Sequence, residues 1–238
     1  MKQKDKQGLF KNIITIDGPA GSGKSTLAKM LAKELRLNYI DTGAMYRAIT
    51  LIALENNIDL EDEEKILKEA KKFSIKLDSN VSDPDAYTKI YLNDRDVTMD
   101  IRSKDVGEAV SIVSKLSGVR KYLVKLQKEL SETKASVLEG RDTGSVVCPD
   151  AICKIYLTAD IEERVKRREK QLNKNNQKPD VNQIKNEIES RDRIDSTRTD
   201  SPLIIPENSY IIDTTGMNIK QVFDKIKEIY SMSLDDMI

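Results

Sequence analysis

Histidine and tryptophan are absent from the 238-residue sequence, which holds only two cysteines and three phenylalanines. Without histidine, neither a Ser-His-Asp nor a Cys-His nucleophile can be assembled. With Cys148 and Cys153 as the sole thiols, a Cys/His zinc site cannot be built either, and the two read as ordinary thiols of a reducing compartment. No stretch approaches ~18 consecutive apolar residues, so no membrane span is expected. The polar opening MKQKDKQGLFKN lacks the apolar run of a signal peptide. Excess charge of one sign is missing too: 40 basic residues balance 40 acidic ones, which leaves no global basic field for a nucleic acid, and the sparse aromatics agree. A globular, soluble, cytoplasmic protein is expected, with small molecules rather than nucleic acid or membrane as partners. No coiled coil or sticky edge is visible, so a monomer is expected. Chemistry must rest on Lys, Arg, Asp, Ser, Thr and metal.

What is present alternates in period. NIITID (12–17) is an Ile-rich run that reads as a buried strand. Glycine-rich sequence follows, then KSTLAKMLAKELRL, where Leu27, Met30, Leu31 and Leu35 form a helical stripe. NYIDT (38–42) predicts a second strand and GAMYRAITLIALENN a second helix. Between Phe73 and Thr98, FSIKL and YTKIYLN alternate at period two around the turn-rich DSNVSDPDA and before NDRD. This predicts a small antiparallel meander inserted beside the main sheet. Helical character returns over 103–130; SVLEG (136–140), KIYLT (154–158) and SYIIDTT read as further strands. EERVKRREKQLNKNNQKPD is a basic helix running into an Asn-rich loop, VNQIKNEIESRDRID is helical, and NIKQVFDKIKEIYSM closes the chain with Val222, Ile226 and Ile229 on one face. Strands alternating with helices predict an α/β fold of three layers, a mostly parallel sheet covered on both faces.

Gly18-Pro19-Ala20-Gly21-Ser22-Gly23-Lys24-Ser25, followed by Thr26, matches G-x-x-x-x-G-K-[ST] between a strand and a helix. Such a loop wraps tightly enough for successive N–H groups to face phosphate oxygens. Lys24 would add charge at the β- and γ-phosphates of ATP, and the Ser25 hydroxyl would reach Mg²⁺. The loop alone does not say where the phosphate goes.

Four charged segments bear on that question: DTGAMYR (41–47), EGRDTGSVVCPD (139–150), RDRIDSTR (191–198) and the basic run Arg164, Lys166, Arg167, Arg168, Lys170. Arg141 and Asp142 follow a buried strand directly, where side chains line the ligand crevice of a parallel sheet; a surface salt bridge at a loop start is the plain alternative. Arg191, Asp195 and Arg198 share a face if helical, and taken alone they read more simply as an ion-pair ladder on a solvated face. Arg47 and the basic run also admit a solvated reading.

Taken together, ITIDGPAGSGKST, DTGAMYRA, GRDTGSVVCPDA and RDRIDSTRTDSPL resemble the bacterial cytidylate kinases, the CMP/dCMP branch of the nucleoside-monophosphate kinases, over nearly the whole chain. The resemblance implies one P-loop kinase domain, with a core of about 12–70, 104–160 and 200–238, a monophosphate-binding insertion of about 71–103 and a lid of about 161–190. It implies that Arg47, Arg141 and Arg198 hold the acceptor phosphate, that Arg191 and Asp195 hold the sugar, and that Asp142, Ser111 and Arg120 read cytosine. Thr42, where Ser is common in the family, would keep a hydroxyl near the acceptor. Arg164, Arg167 and Arg168 are lid candidates for the γ-phosphate, and Lys24, Arg141, Arg198 and Arg167 would form the catalytic set. ATP and Mg²⁺ are the implied co-substrate and metal, CMP and dCMP the acceptors, and the transfer direct and in line. Cys148 departs from the aromatic residue common there, which implies a local packing change. Glu139 stands where Asp also occurs.

Overall fold

A computed structural model describes residues 12–78, 83, 87–174 and 180–235. Outside the described residues lie 1–11, 79–82 and 84–86 between the first two meander strands, 175–179, which include most of the Asn-rich segment, and 236–238.

Strand β1 (Ile13–Asp17) is buried along its whole length because it pairs on both sides and is covered on both faces. That is why its sequence is an apolar run rather than an alternation. The five-stranded sheet is parallel throughout, in the order β2 (Asn38–Asp41), β6 (Ser136–Gly140), β1, β7 (Cys153–Thr158), β8 (Tyr210–Asp213). On one face lie α1 (Lys24–Leu35) and α8 (Ile219–Asp235), where Leu27, Leu31, Val222 and Ile226 meet Ile14, Ile16, Ile155 and Ile212. The other face carries Ile13, Ile40 and Leu138, packed with Val147 and Cys148. Cys148 thus fills an apolar cluster as a small hydrophobe.

The strand expected over 38–42 stops at Asp41. Its carboxylate accepts a 2.9 Å hydrogen bond from the Ala44 N–H, so Thr42 becomes the first residue of α2 (Thr42–Glu55). A helix α3 (Glu63–Ala70) follows, then the meander, which is a separate antiparallel sheet of β3 (Ile75–Leu77), β4 (Ile90–Leu92) and β5 (Arg95–Asp96). The helical stretch expected over 103–130 is two helices, α4 (Lys104–Val113) and α5 (Ser117–Ser131). No side chain of its own caps α5; Glu63 of α3 instead accepts from the Gly118 N–H at 2.8 Å. Ile49, Ile52, Ile66, Ile90, Ile101, Val110 and Leu123 join α2–α5 and the meander in one core.

Beyond β6, Thr143–Val147 form a π-helical turn. Helices α6 (Ile161–Lys174) and α7 (Val181–Thr197) make a hairpin around a small cluster of Val165, Ile184 and Ile188, with Ala20 of the glycine loop against it. Arg198 lies just past the end of α7 in an extended conformation, so it does not continue the helical face of Arg191 and Asp195. Among the described residues no helix is long and apolar enough to cross a membrane.

Candidate active site

The glycine loop leaves the C-terminal end of β1. Gly18 has φ 147°, and a Cβ there would lie 2.0 Å from the Leu157 carbonyl oxygen, so no other residue fits. The Ser22 hydroxyl donates to Pro19 O at 3.1 Å, and Lys24 Nζ donates to Pro19 O at 2.6 Å and to Ser22 Oγ at 3.3 Å. Burial, and next the charge of Arg141, push the Lys24 ammonium well below its ordinary pKa, against the opposing pull of Glu139 and Asp17. Ser25 is exposed in the first turn of α1, with Thr26 half-buried beside it.

Across the cleft, Arg120 is 1% exposed. Its Nη2 donates to Asp142 Oδ2 at 2.7 Å, its Nη1 to Ser114 O at 3.1 Å, and its guanidinium lies 5.1 Å over the Tyr46 ring. Arg198 donates from Nη1 to Asp195 Oδ1 at 3.0 Å and from Nε to Ser201 O at 2.8 Å, while its Nη2 stops 3.8 Å short of Asp142 Oδ1. Arg141 Nε donates to the other oxygen of Asp195 at 2.8 Å. Burial alone would push the Asp195 carboxyl up, but Arg141, Arg191 and Arg198 outweigh it and hold the pKa below the usual range. Arg191 is pushed down to about 9 by burial and then by the charges of Arg141 and Arg47. Burial also lowers Arg47, whose surroundings include Arg168, Arg102 and Arg141 as well as Asp41.

Three buried polar atoms here have no hydrogen-bond partner: the Tyr46 hydroxyl, Arg120 Nε and Arg198 Nη2. Buried polar groups are normally satisfied, so three orphans around one carboxylate mark a place where a polar ligand fits. Ser111 is half-buried on α4, and no hydrogen bond joins its hydroxyl to the Arg120–Asp142 pair. The Thr42 hydroxyl donates to Glu139 O at 2.7 Å.

The basic helix is not a uniform solvated face. Arg164 donates to Ala20 O at 3.0 Å and pairs with Asp192, whose Oδ1 accepts from the Ala20 N–H at 2.9 Å. Arg167 is held by Thr214 O at 2.8 Å, Thr214 Oγ1 at 2.9 Å and Glu163 at 3.0 Å, and it reaches Ser22 O at 3.4 Å. Arg168 is exposed and donates to Gln171 at 2.8 Å, yet its charge bears on Arg47 and Arg191. Lys166 and Lys170 are exposed.

Oxygen donors suited to Mg²⁺ are present in the Ser25 hydroxyl and in Glu139, a buried carboxylate that accepts from the Tyr39 hydroxyl at 2.8 Å. Among the described residues no three His, Cys, Asp or Glu side chains gather as a metal cage.

Sequence reasoning assigned no part to Asp17, Tyr46, Asp192 or Thr214. A signal existed for the first, a carboxylate ending an otherwise apolar strand, and for Asp192, the neighbour of Arg191; Tyr46 and Thr214 look like ordinary helix and loop residues.

The site can be set beside known proteins. The profile of the cytidylate kinase family matches residues 14–232. The chain is 46% identical to the cytidylate kinase of Caldanaerobacter subterraneus subsp. tengcongensis over 90% of its own length and 92% of that protein. It is also 46% identical to the cytidylate kinase of Carboxydothermus hydrogenoformans, over 93% and 98%. A likeness of fold alone extends to the crystal structure of an uncharacterized protein from Eubacterium ventriosum, with a TM-score of 0.52 at 14% identity, covering 93% of this chain and 99% of that one. The match of the family profile across almost the whole sheet and both halves of the cleft establishes that the chain belongs to the cytidylate kinase family.

Proposed function

We propose that the protein transfers the γ-phosphate of ATP to CMP or dCMP, giving ADP and CDP or dCDP. The observation that carries this reading is the buried group of Arg47, Arg141 and Arg191: Arg141 is neutralised by Asp195, to which its Nε donates at 2.8 Å, whereas Arg47 and Arg191 are held below their ordinary pKa by burial and by neighbouring cations, and Arg141 and Arg191 add to burial in lowering Lys24. Like charges gathered under protein are costly unless an anion joins them. Here two cationic half-sites face each other, as a donor and an acceptor phosphate require.

In this reading Gly18–Ser25 and Thr26 wrap the ATP phosphates, with Lys24 on the β- and γ-groups. Arg47, Arg141 and Arg198 hold the dianionic acceptor phosphate, for which guanidinium forks are well shaped. Arg191 and Asp195 hold the sugar. Asp142 has one oxygen engaged by Arg120 and the other 3.8 Å from Arg198, so Oδ1 can accept from the exocyclic amine of cytosine. The carbonyl oxygen of uracil at that position would meet a carboxylate and be repelled. Ser111 completes the base site on closure. Bound Mg²⁺, at Ser25 and through water at Glu139, would neutralise charge on the phosphates. The attacking phosphate oxygen is already anionic, so no strong base is needed, which agrees with a chain lacking histidine. Lid arginines Arg164, Arg167 and Arg168 approach from above the loop, and Arg168 is the one whose charge bears on the acceptor group. The monophosphate-binding part is about 71–103 and the lid about 161–190.

The test is a coupled ADP-release assay with ATP and Mg²⁺ against CMP, dCMP, UMP, AMP, GMP and shikimate, beside a no-acceptor control. Stimulation by CMP and dCMP is expected. Stimulation by another acceptor alone would discard the acceptor roles, and stimulation by none would discard the transferase reading.

A further inference from the structure

Asp17 ends β1 and immediately precedes Gly18, so the chain passes from it straight into the phosphate loop. It is fully buried, and an unpaired carboxylate in such a place would be costly. Three donors satisfy it. Oδ1 accepts from the Thr143 N–H at 2.9 Å and the Thr143 hydroxyl at 2.8 Å, and Oδ2 accepts from the Gly144 N–H at 2.7 Å. Thr143 and Gly144 open the π-helical turn that follows Arg141 and Asp142. The approach is close: a Cβ at Gly144 would lie 2.7 Å from Thr15 Oγ1 and 3.3 Å from Asp17 Oδ2. The β1–β6 register ends at Asp17↔Gly140, so Arg141 and Asp142 lie beyond the ladder. Past that point the Asp17 side chain continues the connection between the two strands.

We infer that Asp17 is a positioning residue for the acceptor: through Thr143 and Gly144 its carboxylate sets Arg141 and Asp142 against the phosphate loop, and with them acceptor affinity and base selectivity. The inference rests on the cytidylate kinase reading, because it takes Asp142 as base reader and Arg141 as phosphate ligand. One side chain thus joins the donor half, through its own main chain, to the acceptor half, through the turn. Asp17→Asn keeps the shape but offers one accepting oxygen and an NH₂ donor where two backbone N–H groups converge, so at least one tie breaks. Thr143→Val is near in volume and removes the hydroxyl tie alone.

Initial rates on the full chain, with CMP, UMP and ATP each varied, test this. Asp17→Asn should raise KM for CMP roughly tenfold and cut the CMP-over-UMP ratio in kcat/KM by a similar factor, with KM for ATP within about twofold of wild type. Thr143→Val should move the same quantities roughly threefold, and it serves as the test if Asp17→Asn does not fold. Folded variants with unchanged KM for CMP and unchanged base ratio would overturn the inference, whatever their melting temperatures. A parallel rise in KM for ATP would also overturn it, since the effect would then lie in the phosphate loop. Wild type run alongside separates the two levels. A wild type that CMP does not stimulate removes the family reading and this inference with it; a CMP-selective wild type with unaltered variants removes this inference alone.

Discussion

Lys24 and Asp142 are both buried charges, yet replacing them should move stability in different directions. Lys24 adds a cation to a cleft already crowded by Arg141 and Arg191, and burial disfavours its charge. Lys24→Ala should therefore leave the melting temperature unchanged or raise it, while turnover in the coupled assay falls roughly 100- to 1000-fold. Near-normal turnover would remove the loop from the chemistry. Asp142 instead neutralises Arg120, which is 1% exposed and bonded to it at 2.7 Å. Breaking a buried pair strands the remaining charge, so Asp142→Ala should cost about 3–5 kcal/mol in urea denaturation. Asp142→Asn keeps the volume, should cost less, and should still relax the preference for CMP over UMP; unchanged selectivity would mean that the base is read elsewhere. Asp17 offers a pH signature. Burial pushes its carboxyl from the ordinary 3.8 up to about 6, against the hydrogen bonds of Gly144 and Thr143. An acid whose folded pKa is raised binds its proton more tightly in the folded state. Its contribution is therefore fully present below the unfolded value and is lost as pH rises through the folded one. Across that window the stability of wild type relative to Asp17→Asn should fall by up to roughly 3 kcal/mol, and a difference flat with pH would contradict the burial of an ionised group.

At the scale of elements, the α6–α7 hairpin contrasts with the core. Among the described residues its apolar cluster is Val165, Ile184 and Ile188 with Ala20, Ile161 and Leu172, whereas α2–α5 stand on one large apolar cluster. Its hold on the phosphate loop is therefore largely polar, through Asp192 on the Ala20 N–H and Arg164 on the Ala20 carbonyl. A hydrogen bond to a charged group contributes about 1.5–3 kcal/mol, so Asp192→Ala should lower amide-exchange protection of α6 and α7 roughly 10- to 100-fold and leave β1 and β6 unaffected. Equal loss in both regions would mean that the hairpin and the sheet open as one unit. The hairpin also shows where sequence reading reaches its limit. A strand buried on both faces such as β1 announces itself as an Ile-rich run, and the stripe of Val222, Ile226 and Ile229 foretells α8, whereas β6, Ser136–Gly140, is as fully buried with only Val137 and Leu138 as large apolar residues. The π-helical turn carries no such signal, because its Cys148 N–H to Thr143 O bond of 2.7 Å is permitted rather than demanded by the local residues. β5 is two exposed residues that become strand only by pairing with β4. For the site, the charged segments were legible as segments, but their pairing was not: Arg120 meets Asp142 across 22 residues and Arg141 meets Asp195 across 54, which only the tertiary fold decides. Arg164 and Arg167, one helical turn apart, face the loop because α6 presents that side to it, a matter of packing rather than composition.

For the molecule as a whole, the balance of 40 basic and 40 acidic residues conceals a local imbalance. Lys24, Arg47, Arg141 and Arg191 converge on one cleft, and the nearby Asp195 is already shared by Arg141 and Arg198. The unliganded fold therefore carries a repulsion that a bound dianion relieves, and ligand binding should register as global stability. A ligand present at about 100 times its Kd stabilises the folded state by about 2.7 kcal/mol. For a chain of this size that corresponds to a rise in Tm of roughly 5–11 °C. CMP should produce such a shift in a thermal melt. Cytidine, which offers the same base and sugar without the phosphate, should produce little, because the charge of the cluster would remain unanswered. Arg191→Met removes one of the crowded cations, so the unliganded variant should melt at or above the wild-type temperature while its response to CMP shrinks. A cytidine shift equal to that of CMP, or an Arg191→Met variant that melts lower and keeps the full CMP shift, would mean that the cationic cluster is braced by the fold itself rather than held ready for an acceptor phosphate.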